Sequence, residues 1–214
     1  MSTAASVSST FAAALRGDDC FVREDRAAAQ RLPVGRWGGS ADPSDLRVLH
    51  HCHGPVLDVG CGPGRMSEAL AVAGHPALGI DVVPEAVEQT RRRGAPALLR
   101  DVFDRVPAEG RWRTVLLADG NIGIGGDPRR LLLRVAALLG PGGRAVVDLA
   151  APGTGVQHRT LRLVTAGLES RPFAWTDVGP DGIEAVADGT GLRLGSRHHD
   201  GLRWFAVLTK ERER

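Results

Sequence analysis

The sequence predicts an α/β protein built on a doubly wound, mostly parallel sheet. Three observations predict it. From Gly54 onward, short apolar runs alternate with helical segments through brief connections, the pattern of strands joined by crossover helices. The runs are continuously apolar, as in Ala145-Val-Val-Asp-Leu149, which suits strands covered on both faces. The first run also leads straight into Gly60-Cys-Gly-Pro-Gly64 and then a helix, an arrangement that opens a ligand site at the carboxyl end of such a sheet.

Ahead of the alternation, residues 4–15 and 23–32 are expected helices, and residues 33–39 a loop on their proline and glycines. Residues 42–52 form a helix with Asp42 as N-cap and Pro43 in its first position. Residues 1–53 are therefore read as a small N-terminal helical cap on a domain of residues 54–214. In that domain the first strand is 55–59, followed by a helix at 65–73 that Gly74 stops. The second strand is 77–81, and a helix at 84–93 starts on Pro84 and ends before Gly94. Strands three and four are 96–102 and 114–119. A leucine-rich helix at 127–139 is broken by Gly140-Pro-Gly-Gly143, and strand five is 144–150. Residues from about 151 to 180 read as an insertion with two strands, 156–164 and 171–178, around Gly167. A helix at 181–188 and a terminal hairpin of 192–198 and 203–210 complete the chain.

Composition excludes several classes. The 214 residues carry 27 Lys and Arg against 25 Asp and Glu, a formal net charge of +2, which argues against a dedicated nucleic-acid-binding protein. Lys210 is the only lysine and tyrosine is absent, so two usual general bases are closed. The excess of arginine with 28 glycines reads as coding bias. Three scattered cysteines, Cys20, Cys52 and Cys61, form no C-x-x-C pair and suit a reducing compartment. The N-terminus lacks the marks of a signal peptide, and no run approaches the roughly 18 apolar residues that span a bilayer. The expectation is a cytoplasmic protein, monomeric or homodimeric, away from membranes. No His, Cys or carboxylate cluster has zinc spacing, so no metal is expected.

The glycine loop narrows the ligand. The dinucleotide fingerprint G-x-G-x-x-G fails at Arg65, and the phosphate loop ending in G-K-[ST] is absent. Asp58, two residues before the first glycine, disfavours a pyrophosphate and suits a cation carrying an amino group. Gly79-Ile-Asp81 closes the second strand, with Asp81 standing 21 residues beyond Gly60, the place for an acid that grips ribose hydroxyls. Asp101 follows the third strand, and Leu139-Gly-Pro-Gly-Gly143 precedes the fifth. In these residues, over about 54–150 and in the terminal hairpin, the chain resembles the class I S-adenosylmethionine-dependent methyltransferases.

That resemblance implies a Rossmann-like sheet of seven strands in the order 3-2-1-4-5-7-6, with helices on both faces. It implies S-adenosyl-L-methionine as cofactor and methyl transfer to the oxygen, nitrogen or carbon of a small-molecule acceptor. Gly60, Gly62 and Gly64 would pass along the methionine moiety, with Cys61 in a variable slot of the loop. Asp58 would orient the loop and the amino group, Asp81 with its neighbour Val82 would hold the ribose, and Asp101 with Val102 the adenine.

Other candidates follow from strand polarity. Asp119 and Asn121, after the fourth strand, lie at the ligand edge and are expected to bind the methionine end or orient the acceptor, although a plain glycine turn capped by Asp127 accounts for the segment too. His158, after the fifth strand, is the best-placed general base, with Asp119 beside it as a second catalytic candidate. His51, His53 and His75 fall at the amino end of the sheet, and His198 and His199 far along it. Arg36, Trp37, Phe173 and Trp175 are candidate walls of an acceptor pocket. Two alternatives stay open: a cofactor-binding module without catalysis, and a methyltransferase acting on RNA or protein. A nucleobase acceptor is disfavoured, because the Pro-Pro-aromatic motif of nucleic-acid amino-methyltransferases is missing after strand four.

Overall fold

The computed structural model describes residues 4–24, 28–201 and 203–211. The chain runs through α1 (Val7–Leu15), β1 (Phe21–Glu24), β2 (Gln30–Arg31), the single turn α2 (Val34–Trp37) and α3 (Pro43–Leu49). It continues as β3 (Val56–Val59), α4 (Arg65–Val72), β4 (Ala77–Asp81), α5 (Pro84–Arg92), β5 (Ala97–Leu99) and β6 (Trp112–Leu117). A 3-10 stretch at Asn121–Gly126 leads into α6 (Pro128–Leu138), β7 (Leu139–Leu149), β8 (Val156–Val164), β9 (Phe173–Val178), α7 (Ile183–Ala187), β10 (Leu192–Asp200) and β11 (Arg203–Lys210).

The main sheet has seven strands in the order β10-β11-β7-β6-β3-β4-β5. Counted within this domain, that is the expected order 3-2-1-4-5-7-6. Strands β3 to β7 pair in parallel, and β11 runs antiparallel to both β7 and β10. The order reverses around β3, so the loop leaving β3 opens at the switch point where such sheets bind ligands.

Strand periodicity sorts the side chains into two layers. Leu57, Val59, Val115, Leu117, Ala145 and Val147 join the large core beneath α6 and α7. Their alternates Val56, Leu116 and Val146 join a second core with Val48 and Leu49 of α3 and Met66 and Leu70 of α4. Asp58 and Asp148 share the phase of this second set, so two carboxylates point toward the α3 and α4 layer.

The N-terminal region differs from the helical cap expected. Residues 21–24 and 30–31 are strands, where a helix over 23–32 was expected; residues 25–27 of that helix lie outside the described residues. The reason is non-local pairing: Phe21 faces Val164 and Glu24 faces Leu161 across an antiparallel ladder. The cap is thus a four-stranded antiparallel sheet, β2-β1-β8-β9, shared between the N-terminus and the insertion. Ala5 reinforces it, donating its N–H to Glu169 O at 2.9 Å and accepting from Arg171 N at 2.8 Å. The expected helix at 4–15 is present from Val7, with Ser6 accepting from Ser9 N as its cap. α3 carries a full capping box between Asp42 and Asp45.

Gly140-Pro-Gly-Gly143 ends α6 as expected, but the chain enters β7 already at Leu139. A β-carbon at Gly143 would lie 3.0 Å from the Trp112 carbonyl oxygen, so glycine lets this extended segment approach β6. Among the described residues, no helix is long and apolar enough to cross a membrane.

Candidate functional site

A cleft of about 1020 Å³ opens beyond the carboxyl ends of β3, β4 and β6, roofed by α1 and the cap sheet. Its floor is the glycine loop. Gly60, Gly62 and Gly64 all have positive φ, at 69°, 54° and 94°. A β-carbon on Gly64 would sit 2.8 Å from the Thr90 Cα, so close packing on α5 requires glycine there. A β-carbon on Gly62 would meet nothing within 4 Å, which leaves the loop backbone open to a ligand from the cleft.

Asp81 ends β4 beside this loop. Its Oδ2 accepts from Gly62 N at 2.9 Å and its Oδ1 from Val83 N at 2.9 Å, which fixes the carboxylate at the cleft. Burial pushes its pKa above the ordinary carboxylate range, with these backbone N–H groups acting in the opposite sense. Val82 beside it is exposed, and Ser8 of α1 donates to its carbonyl at 3.4 Å. Asp101 is exposed at the cleft and accepts from Phe103 N at 2.9 Å in an Asx turn. Val102 is buried and also lines the cleft.

Asn121 spends its side chain as a staple. Its Nδ2 donates to Val59 O at 2.8 Å and to Gly60 O at 3.0 Å, tying the loop after β6 to the glycine loop. Asp119 holds φ at 51°, a left-handed conformation that Asp tolerates better than most residues. Its carboxylate lies 2.5 Å from Arg65, and its N–H donates to Asp148 Oδ2 at 2.6 Å.

Asp58 lies beneath the loop and is not part of the cleft lining. It is 1% exposed and accepts from Ser67 Oγ at 2.7 Å. Burial pushes its carboxyl up to about 7, aided by Asp119 and Asp81 and opposed by Ser67 and Arg65. Cys61 lines the cleft with the rest of the loop, but its side chain is buried and burial pushes its thiol up, so the thiol packs inward.

Sequence reasoning missed the arginines. Arg65, 2% exposed, reaches Asp119 on one side and Asp45 of the cap helix α3 on the other. Arg203 of β11 pairs with Asp148 through Nε at 3.0 Å and through Nη2, and reaches the same Asp45 at 2.5 Å. Burial raises the Asp45 pKa, but Arg65, the Asp42 N–H and Arg203 outweigh it and hold the carboxyl below its ordinary range. Burial works against charge on Arg203, and Asp148 and Asp45 more than compensate. One signal in the sequence pointed here: Arg65 opens a helix, where a cation opposes the helix dipole and needs a partner.

The structure does not bring His158 to the cleft. Strand alternation turns Arg159, Leu161 and Leu163 inward and His158 outward. His158 is exposed and its Nδ1 lies 2.9 Å from Thr176 Oγ1, whose hydroxyl donates to Gly126 O at 2.7 Å; the single hydroxyl proton is thereby committed, so Nδ1 is the donor. Trp37, Phe173 and Trp175 do line the cleft. Arg36 turns instead to Asp42 and Asp45. His198 stacks on Phe205 at 4.7 Å beside His51, and His199 stacks on Trp204 at 4.4 Å, all outside the cleft lining. Among the described residues, no group of three or more His, Cys, Asp or Glu side chains is arranged to hold a metal.

Comparisons with known proteins agree with this geometry. A family model described as a methyltransferase domain matches residues 56–143. A trans-aconitate 2-methyltransferase from Paracidovorax citrulli is 32% identical over 115 residues, covering 52% of this chain and 44% of that protein. A ubiquinone biosynthesis O-methyltransferase from Bordetella avium is 34% identical over 95 residues, covering 41% of this chain and 39% of that protein. The chain thus spans less than half the length of these curated relatives. The crystal structure of a SAM-dependent methyltransferase from Bacteroides fragilis in complex with S-adenosyl-L-homocysteine superposes with a TM-score of 0.81 at 22% identity, covering 95% of this chain and 94% of that one, which establishes a shared fold.

Proposed function

We propose that this protein is a class I S-adenosylmethionine-dependent methyltransferase that transfers a methyl group from S-adenosyl-L-methionine to a small-molecule acceptor, a reading supported by the methyltransferase-domain model that matches residues 56–143. One observation carries the reading: a single cleft joins an approachable glycine loop, an ordered acid at the second strand end and a separate apolar wall from the cap.

The residues present fit the cofactor. Gly60 and Gly62 offer backbone to its methionine part while Gly64, outside the cleft lining, lets the loop pack on α5; Asp81 keeps carboxylate lone pairs for ribose hydroxyls, and Asp101 is exposed for the adenine amino group. When bound, the cofactor supplies an electrophilic methyl group on a sulfonium cation. The protein's contribution is alignment. Asn121 fixes the two loops that meet beneath the cleft, and Arg65 fixes Asp119 at its edge. Asp119 is the acid placed to orient the acceptor. We place the protein in the cytoplasm, a reading supported by three free, buried cysteines. We also propose that it acts as a monomer or homodimer.

Calorimetry with S-adenosylmethionine and S-adenosylhomocysteine tests this. Wild type binds both, and Asp81→Ala loses about tenfold or more in affinity, since about 1.4 kcal/mol corresponds to tenfold. No binding by wild type, or undiminished affinity in the variant, overturns the reading.

A further inference from the structure

The half of the cleft under the cap has its own chemistry. Alternation along β8 and β9 places Arg159, Leu161, Leu163, Phe173, Trp175 and Asp177 on the one face of the cap sheet that lines the cleft. Phe11 and Trp37 line the same space, with ring centroids 5.8 Å apart, while Phe173 and Trp175 meet edge to face at 6.4 Å. All four aromatic residues are only half-buried, so ring surface remains open to a ligand.

The one cation among the described residues of this wall is already paired. Arg159 donates from Nε to Asp177 at 2.6 Å, from Nη1 to Glu24 at 2.9 Å and from Nη2 to Gln157 at 2.9 Å. Among the described residues, one guanidinium thus faces two carboxylates, Asp177 and Glu24. An anion entering this space meets an arginine that already shares its charge with two carboxylates. A flat apolar molecule meets aromatic faces instead.

Resting on the methyl-transfer reading, we infer that the acceptor is a flat, largely apolar small molecule without negative charge, seated among Phe11, Trp37, Phe173 and Trp175. Asp177 sets this selectivity by holding Arg159 away from anionic acceptors.

The test is calorimetric titration of the protein, saturated with S-adenosylhomocysteine, with naphthol and with naphthoate, a neutral and an anionic form of one ring system. In wild type, naphthol binds about tenfold or more tightly than naphthoate. Phe173→Ala weakens naphthol about tenfold, and Asp177→Asn strengthens naphthoate at least about threefold, narrowing the gap. Each variant's retained affinity for S-adenosylhomocysteine shows that it is folded. Failure of naphthol to bind, equal or tighter binding of naphthoate by wild type, or unchanged affinities in both variants overturns the inference. If S-adenosylhomocysteine itself does not bind, the methyl-transfer reading falls, and naphthol binding to the free protein still decides whether the aromatic wall takes such a ligand.

Discussion

Asp58→Asn isolates the charge buried beneath the glycine loop. Burial lifts the Asp58 carboxyl from its ordinary 3.8 to about 7 in the folded chain. The sign follows directly. Below pH 3.8 the carboxyl is protonated in both states and nothing is lost. As pH rises from about 4 to 7, the unfolded chain releases the proton while the folded chain keeps it, so stability falls. Above about 7 the loss is complete. At about 1.4 kcal/mol per tenfold change, the cost to wild type is about 2 kcal/mol at pH 5 and about 4 kcal/mol at pH 8.5. Asparagine keeps an acceptor for Ser67 Oγ but cannot ionise. Any fixed penalty for its buried amide is the same at both pH values and cancels. Thermal unfolding of both proteins at pH 5 and pH 8.5, at matched ionic strength, gives the comparison. The variant gains about 2–3 kcal/mol on wild type between the two pH values, which for a chain of this size is about 5–10 °C in Tm. Parallel pH dependence in the two proteins refutes the assignment of a buried, proton-retaining Asp58.

The glycine loop and the ionic cluster give contrasting outcomes. Gly64→Ala forces a β-carbon onto Thr90 at a φ of 94° and destabilises the fold by about 2 kcal/mol or more, read from chemical denaturation. Gly62→Ala costs only about 1 kcal/mol at its φ of 54° but fills the open side of the loop, so S-adenosylhomocysteine affinity measured by calorimetry falls about tenfold or more. Arg203→Met strips the bidentate partner from buried Asp148 and one partner from Asp45, lowering urea-denaturation stability by about 3–5 kcal/mol.

The main sheet was legible because each of its signals is local. Pro84 and Gly94 bracket a helix, Gly60–Gly64 follow an apolar run, and each βα unit names its own boundaries. Asp81, Asp101, Asp119 and Asn121 reach the cleft because strand ends in a parallel sheet all point to one edge. The cap was not legible. Four residues at 21–24 become a strand only by pairing with residues 161–164, and no local pattern encodes that partner. Placing His158 at the right edge was not enough, because a shift of one residue along a strand turns a side chain to the opposite face. The arginine excess reads as composition, although Arg65 directly after the last glycine of the loop sits where a helix start disfavours a cation.

The buried ionic cluster explains how the cap and the site act as one unit. Asp45 belongs to α3, in the N-terminal region, yet besides Arg36 nearby in the chain it pairs with Arg65 at the start of α4 and Arg203 of β11. Through them it is linked to Asp119 at the cleft and Asp148 under the sheet end. Holding the cap in place does not require charge, since well-packed apolar side chains do that at least as well once desolvation is counted. What charge adds is a field. Among the described residues of this cluster, the guanidinium groups of Arg36, Arg65 and Arg203 face the carboxylates of Asp42, Asp45, Asp119 and Asp148, so carboxylates outnumber guanidinium groups even while Asp58 keeps its proton. In a region shielded from water that field is weakly screened and acts on whatever the loop holds. It disfavours phosphate and favours a cation, the same discrimination that the failed G-x-G-x-x-G match and Asp58 first suggested.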